Sequence, residues 1–542
     1  MDIRNDMTLP ADLHQHSKGT GHLRSQRPVY MDFMPPCNSA CPIGENIQGW
    51  FSHAQAGNYF EAFQVMMEDN PFPAIMGRIC VKPCEKGCNR NHIDDTVNIH
   101  AVERYIGDEA LRQNWQPRYT VNPSGKKVLV IGAGPSGLSA AYHLKRMGHE
   151  VEVMDANPHA GGLMWQGVPE YRLPKDVLDG EIARIQQMGV KISLNKKVTD
   201  VLAEKAAGNF DAVYLGIGAQ LIQKENFETD GSVFTTTAFD FFNDRRTDEV
   251  KYYGKKVLVH GGNKLALYIA RIVKRFGSMV SVFYEGDRKM MPAYDYETDD
   301  ALAEGVDVNL NLRLLKIEKN SATFEKTKIE KGKVAGTGEY HTIEADILIM
   351  ANRQEVNAQF LRSVDGMKLN EDGTVVIAAD RSTGHPGIFA GGDMLPGENR
   401  SSAIATGHGK KAAKFINAFL RNETYVKGEK HATAGYRKLH IWYKTEAPLK
   451  EQERQAPAKA IQNFDEIIKG LNEEEANYEA MRCLSCGNCF ECDGCYGSCP
   501  ENAIIKLGPG LRYEYDYNKC TGCAVCFEQC PCHAIEMVPE QS

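Results

Sequence analysis

No cysteine occurs between Cys88 and Cys483, although the chain holds sixteen. That gap removes redox disulfides and thiolate-held metals from the middle of the protein and confines thiol chemistry to its two ends. The chain also lacks any run of about 18 apolar residues, so no transmembrane helix is expected. Its opening, MDIRNDMTLPADLHQHSKGT, has no apolar h-region, so no secretory signal is expected either. Basic tracts are missing and the net charge is −8, which disfavours nucleic acid. What remains is ordinary globular composition, 42% hydrophobic and 25% charged. At 542 residues the chain exceeds one core and is expected to divide into roughly three or four domains.

The C-terminal end reads Cys489-x2-Cys492-x2-Cys495-x3-Cys499-Pro, then Cys520-x2-Cys523-x2-Cys526-x3-Cys530-Pro. Short spacers let three thiolates converge on one iron–sulfur cube, and the proline turns the chain away. The doubled run resembles a bacterial two-cluster ferredoxin. That resemblance implies that Cys489, Cys492, Cys495 and Cys530 hold one [4Fe–4S] cluster, and Cys499, Cys520, Cys523 and Cys526 the other. Structural zinc and a disulfide scaffold are the alternatives. Reduced thiolates imply a reducing compartment, so a cytoplasmic location is expected. Residues 483–542 are acidic, which suits a basic partner face.

Two strand–glycine-turn–helix units occupy the centre. The first, KKVLVIGAGPSGLSAAYHLKRMGHEVEVMDA, carries Gly132-x-Gly134-x-x-Gly137 between a strand and a helix, with Asp155 at the end of the next strand. The glycines allow a tight turn, close approach of a pyrophosphate and helix–strand packing, and the acid can accept from a ribose hydroxyl. The second, KKVLVHGGNKLALYIARIVKRFGSMVSVFYEGD, is less regular, with Gly261-Gly262-Asn263 and then Lys264-Leu265-Ala266. Asn263 is expected to take a left-handed backbone and to narrow the phosphate approach. Glu285, 24 residues after Gly261, is placed to meet a ribose 2′-hydroxyl and to repel a 2′-phosphate, so NAD(H) is expected over NADP(H). Arg288 is a competing cation beside it.

At the N-terminal end, Cys37 and Cys41, then Cys80, Cys84 and Cys88, frame a helical pattern. The order Cys37-Asn-Ser-Ala-Cys41-Pro, Gly77-Arg78-Ile-Cys80, Cys84-Glu-x-x-Cys88 and Val102-Glu103-Arg104 resembles the glutamate synthase small subunit. It is also similar to the N-terminal cluster domain of dihydropyrimidine dehydrogenase. The likeness continues through GAGPSGLSAAYHL, Gly161-Gly162-Leu163, Pro169-x-x-Arg172-Leu173-Pro174 and Ala390-Gly391-Gly392-Asp393. It implies FAD held by Gly132, Gly134, Gly137, Asp155, Gly162, Leu163, Arg172, Gly392 and Asp393, with NAD held by Gly261, Gly262, Asn263 and Glu285. Family members with two N-terminal clusters carry a further Cys-x2-Cys pair before the position of Cys37, and this chain has none. One N-terminal cluster is therefore expected, on Cys41, Cys80 and Cys84, its fourth ligand open among Glu103, Cys37 and Cys88. Cys483, Cys486 and Cys532 are surplus, as core thiols or alternative ligands.

The expected layout is an arm over 1–30, extended or loosely docked, and an α-helical iron–sulfur domain over 31–115. Two Rossmann-like α/β domains follow, for FAD (126–250 and 345–420) and NAD (251–344). A helical linker over 421–480 leads to an α+β ferredoxin domain over 481–542. The expected function is an NAD(P)H:acceptor oxidoreductase with one FAD and three [4Fe–4S] clusters. Its partners would be NADH and a redox protein or ferredoxin, as the electron-transfer subunit of a complex such as a 2-oxoacid:ferredoxin oxidoreductase or a dissimilatory sulfite reductase. No acid–base residue is required for hydride transfer between nicotinamide and flavin. The alternatives are a glutamate synthase small subunit and a multi-cluster wiring subunit with an inactive nucleotide site.

Overall fold

The computed structural model describes residues 24–222, 227–244, 249–397, 400–429, 431–508 and 510–540. Two five-stranded parallel sheets form the centre. In the first the order is Ile388–Ala390, Ala212–Leu215, Lys127–Ile131, Glu150–Met154, Lys191–Ser193. In the second it is Phe234–Thr237, Ile347–Met350, Lys256–His260, Met279–Tyr284, Asp307–Leu310. Central strands such as KVLVI and KVLVH are buried after their first residue, because helices cover both faces of a parallel sheet. Strands Leu312–Glu318, Ser321–Glu330 and Lys333–Glu344 add an antiparallel layer to the second unit. Strands Phe234–Thr237 and Ile347–Met350 both complete the second sheet, so the expected borders at 250 and 345 cut through it.

The N-terminal helices Ile47–Gln55, Tyr59–Met67, Pro73–Ile79 and Ile99–Arg112 bury Trp50, Phe63, Met66, Ile75 and Ile106. These residues share one core with the helices Pro135–Arg146 and Ser402–Arg421 of the first unit. The cluster region and the first nucleotide fold are thus packed directly on each other.

The two chain ends depart from expectation. Within the expected arm, residues 1–23 lie outside the described residues, and Gln26–Tyr30 is extended but paired as a strand rather than loosely docked. It pairs antiparallel with Ile535–Pro539, and Tyr30 stacks on Tyr515 at 4.8 Å. Arg24 locks the join, donating to Glu540 and to the carbonyls of Tyr517 and Cys520. The stretch 421–480 is mostly irregular rather than helical; Pro457–Ala460 and Glu473–Met481 are its α-helices among the described residues. It straps the other units together: Glu466 receives Arg78 and Arg104, Arg454 reaches Asp300, and the Ile467 N–H donates to the Tyr171 carbonyl. Among the described residues no helix is long and apolar enough to cross a membrane.

Candidate functional site

Three loops of the first unit meet at the start of helix Pro135–Arg146. The left-handed Gly132 (φ 107°) lies where a Cβ would stand 2.4 Å from the Gly216 carbonyl oxygen, and a Cβ on Gly137 would stand 1.9 Å from the Gly132 oxygen. Strand, turn and helix can close this tightly only with glycine at both positions. The loop Gly161-Gly162-Leu163 folds over them, its Gly161 N–H donating to the Ala133 carbonyl and Gly162 packed on Gly134. Gly392 packs on Ser136 from the third loop, beside Asp393. The Asp155 carboxylate accepts from the Ala133 N–H (2.7 Å) and from Asn157, pinning the turn to the neighbouring strand end. A Cβ on Gly134 would meet only Gly162, at 3.9 Å, so the turn keeps an open face beside the helix N–H groups. That open glycine face fits the pyrophosphate of a dinucleotide such as FAD. Arg172 reaches toward the second unit. Its guanidinium lies over the rings of Tyr268 and Tyr296, and it donates to the Tyr296 hydroxyl.

The second turn repeats the backbone of the first. Gly261 approaches the Ala351 carbonyl oxygen as Gly132 approaches Gly216, and Asn263 (φ −93°, ψ 171°) matches Gly134 (φ −79°, ψ 180°). Asn263 is therefore extended, contrary to the left-handed backbone expected from sequence. Its side chain turns inward, accepting from the Ala266 N–H and donating to the Ala351 and Asn352 carbonyls. Gly262 lies under the Tyr284 ring, and the following Glu285 accepts from Arg313 at 3.0 Å. Arg288 pairs with Asp295 and Asp299.

The N-terminal cysteines divide between two sides. Helices Pro36–Ala40 and Pro83–Lys86 pack together, and each carries cysteines four residues apart near its ends. Cys41 and Cys84 face Cys80 and the buried Glu103, whose carboxylate accepts from Asn70 at 2.8 Å. Burial pushes the Cys80 thiol up to about 12, and the charge of Glu103 adds to it. Thiolates so placed need a nearby cation, which an iron cube supplies. Cys37 and Cys88 face the other way, toward Cys483 and Cys486. In the C-terminal module Cys499, Cys520, Cys523 and Cys526 line one cavity. Cys489, Cys492, Cys495 and Cys530 form the neighbouring group, and the Cys532 sulfur lies 3.8 Å from that of Cys530. Both donor sets suit thiolate-held clusters.

Comparison with known proteins agrees with this geometry. Residues 126–410 match the model described as pyridine nucleotide-disulphide oxidoreductase, and residues 23–115 match dihydropyrimidine dehydrogenase domain II, 4Fe-4S cluster. The beta subunit of the NADP(+)-dependent formate dehydrogenase of Moorella thermoacetica is 31% identical over 500 residues, covering 83% of this chain and 70% of that one. The small chain of glutamate synthase [NADPH] of Escherichia coli (strain K12) is 32% identical over 421 residues, covering 71% and 89%. This chain belongs to the glutamate synthase small-subunit-like FAD and iron–sulfur oxidoreductases. The beta subunit of the NADPH-Fe(3+) oxidoreductase of Geobacter sulfurreducens (strain ATCC 51573 / DSM 12127 / PCA) is a further relative, 28% identical over 506 residues and covering 84% and 75%.

These three relatives are named for NADP+ or NADPH, so the expected preference for NAD(H) gains no support. The family name mentions a disulphide, yet this oxidoreductase has no cysteine within residues 126–410 to form one. Sequence reasoning also passed over Lys264. It opens the second helix at the junction of three units, within electrostatic reach of Glu297, Asp393, Arg172 and Cys80, and burial pulls its ammonium pKa down. The available signal was a lysine at the start of a helix that continues with the uncharged run Leu265-Ala-Leu-Tyr-Ile-Ala270.

Proposed function

We propose that this oxidoreductase is an electron-transfer subunit that exchanges electrons between a nicotinamide nucleotide and an acceptor protein. The observation that carries the reading is the junction between the first nucleotide fold and the N-terminal cysteine region, where Cys41, Cys80 and Cys84 share one core with Ala133 and Leu138 of the FAD turn and its helix. When bound, FAD supplies two-electron hydride chemistry on one side and one-electron exchange with iron–sulfur clusters on the other. The residues themselves orient and enclose. Gly132, Gly134 and Gly137 open the backbone to the FAD pyrophosphate, Asp155 fixes the turn, and Asn263 holds the second turn without filling its phosphate face. Arg172, between Tyr268 and Tyr296, ties the FAD domain to the nucleotide domain. Cys41, Cys80 and Cys84 with Glu103 as fourth ligand would hold the cluster nearest that junction. The exit is the acidic C-terminal module, and the formate dehydrogenase and Fe(3+) oxidoreductase relatives, each named as a beta subunit, support an acceptor in a partner chain.

The test is anaerobic titration of the purified full chain with NADH and with NADPH. Loss of flavin absorbance with either nucleotide is expected, and Cys523→Ala should retain it while slowing reduction of a positively charged one-electron acceptor such as cytochrome c at least tenfold. No bleaching by either nucleotide would favour a wiring subunit with an inactive nucleotide site.

A further inference from the structure

The two ends of the chain bring four cysteines together that no local spacing connects. Helices Pro36–Ala40 and Pro83–Lys86 present Cys37 and Cys88 on the side away from Cys80. Opposite them stand Cys483 and Cys486, and the four thiols line one pocket together with Ile47, Phe51 and Val97. Cys499, Cys520, Cys523 and Cys526 line one pocket of the C-terminal module in the same way.

The C-terminal pair is delivered by a buried clamp. Arg482 donates to the carbonyls of Asp95 and Thr96 and to Asp94, while Arg90 donates to the Arg482 carbonyl and pairs with Asp94. These charged hydrogen bonds fix the residue before Cys483 against the residues after Cys88. The Gly487 carbonyl then accepts from the Phe33 N–H, joining the same turn to the segment before Cys37.

Backbone and sulfur environment repeat those of the other cysteine turns. Ser485 is left-handed (φ 51°) and donates its N–H to the Cys483 sulfur at 3.4 Å. Lys82 (φ 57°) does the same to Cys80 at 3.5 Å, and Gly522 (φ 70°) to Cys520 at 3.4 Å. Asn89 donates to the Cys486 sulfur at 3.4 Å. Such donors stabilise negative charge on cluster sulfurs and tune their potentials. Among the described residues no three potential ligands converge as a single ion would require. A cube, with its irons spread toward four separate thiolates, suits the wider arrangement.

We propose that Cys37, Cys88, Cys483 and Cys486 ligate a fourth [4Fe–4S] cluster, shared between the N-terminal helical region and the C-terminal module. It adjoins the Cys41 group across one short helix and the Cys489 group across Gly487-Asn488, so it links the flavin-side cluster to the ferredoxin-like pair. The inference rests on iron–sulfur loading of the chain and not on nucleotide chemistry.

Iron, acid-labile sulfide and zinc are measured per chain on the full protein after anaerobic reconstitution, together with FAD. About sixteen irons are expected, at four per cube. The double variant Cys483→Ser/Cys486→Ser should fall to about twelve, with FAD content and nucleotide bleaching retained. About twelve irons in the wild type, one zinc per chain, or a double variant that keeps sixteen would each overturn the proposal. Twelve irons with intact bleaching would remove the fourth cluster and leave the proposed function standing. Should the double variant fail to fold, the wild-type stoichiometry still decides.

Discussion

The two nucleotide folds carry the same turn by different means. In the first, glycine at 132, 134 and 137 leaves the turn bare, and helix Pro135–Arg146 packs on helix Ser402–Arg421, where a Cβ on Gly409 would stand 2.1 Å from the Ser136 oxygen. In the second, Asn263 replaces the middle glycine and spends its side chain on the helix start and on the Ala351 loop. Its helix, Lys264–Arg275, is fastened by charge: Arg271 and Arg275 both grip Glu304, and their guanidinium groups lie over Tyr171 of the first unit. A turn geometry can thus survive loss of its glycine where a side chain satisfies the same backbone groups. The first unit depends on close approach, the second on hydrogen bonds and ion pairs.

The sharpest break in that comparison comes at Gly137. Gly137→Ala puts a methyl group on the Gly132 carbonyl oxygen, whereas the second turn already carries Ala266 at the matching position. The expected outcome is purified protein with less than about a tenth of the wild-type FAD, read from flavin absorbance per chain. Retention of full FAD would mean that the first turn tolerates what its geometry forbids.

Glu304→Gln tests the charge fastening of the second unit. Burial pushes the Glu304 carboxyl up, but hydrogen bonds and charge from Arg271 and Arg275 outweigh it and hold its pKa below the ordinary value. Asp300 also meets Arg271, at 3.5 Å, and Arg454. Removing one partner of a buried pair costs about 3 kcal/mol. Because the folded pKa is depressed, this stabilisation is present above the unfolded carboxylate value, about 4.3, and is lost as pH falls through the lower folded value. Hydrogen exchange over 264–304, compared between wild type and variant, should show the difference at pH 7 and converge in acid. Equal protection at pH 7 would remove the ion network from the account.

The ferredoxin resemblance grouped Cys499 with Cys520, Cys523 and Cys526, which line a single pocket, and local spacing placed both glycine turns between strand and helix. It failed where partners are distant in sequence. Nothing in QRPVY announces a strand, because its partner is Ile535–Pro539. Cys483 and Cys486 looked surplus because the cysteines they face, Cys37 and Cys88, lie at the other end of the chain. The motif that singled out Arg172 gave no sign of its contacts with Tyr268 and Tyr296 of the other fold. The strap over 421–480 was misread as helical because its charged stretches favour helix locally, while its docking contacts with Arg78, Arg104 and Tyr171 hold it extended.

The smallest expected effect concerns the nucleotide, and it distinguishes the folds by what their second strands end on. The first ends on Asp155, whose carboxylate accepts from Ala133 and Asn157 of its own unit. The second ends on Glu285, half exposed, whose carboxylate reaches across to Arg313 and leaves its own turn to Asn263 and Tyr284. In Glu285→Arg a guanidinium replaces that carboxylate and the Arg313 pair is lost, so two cations stand where an anion–cation pair stood. A ribose 2′-phosphate then gains an attractive partner and loses a repulsive one, while a 2′-hydroxyl loses an acceptor. Solvent screening at this exposure holds the gain well below that of a buried pair. The ratio of kcat/KM for NADPH to that for NADH should rise about tenfold, equivalent to about 1.4 kcal/mol, with FAD content unchanged. The direction holds whichever nucleotide the wild type prefers, and a ratio that does not move would place the nucleotide ribose away from this strand end.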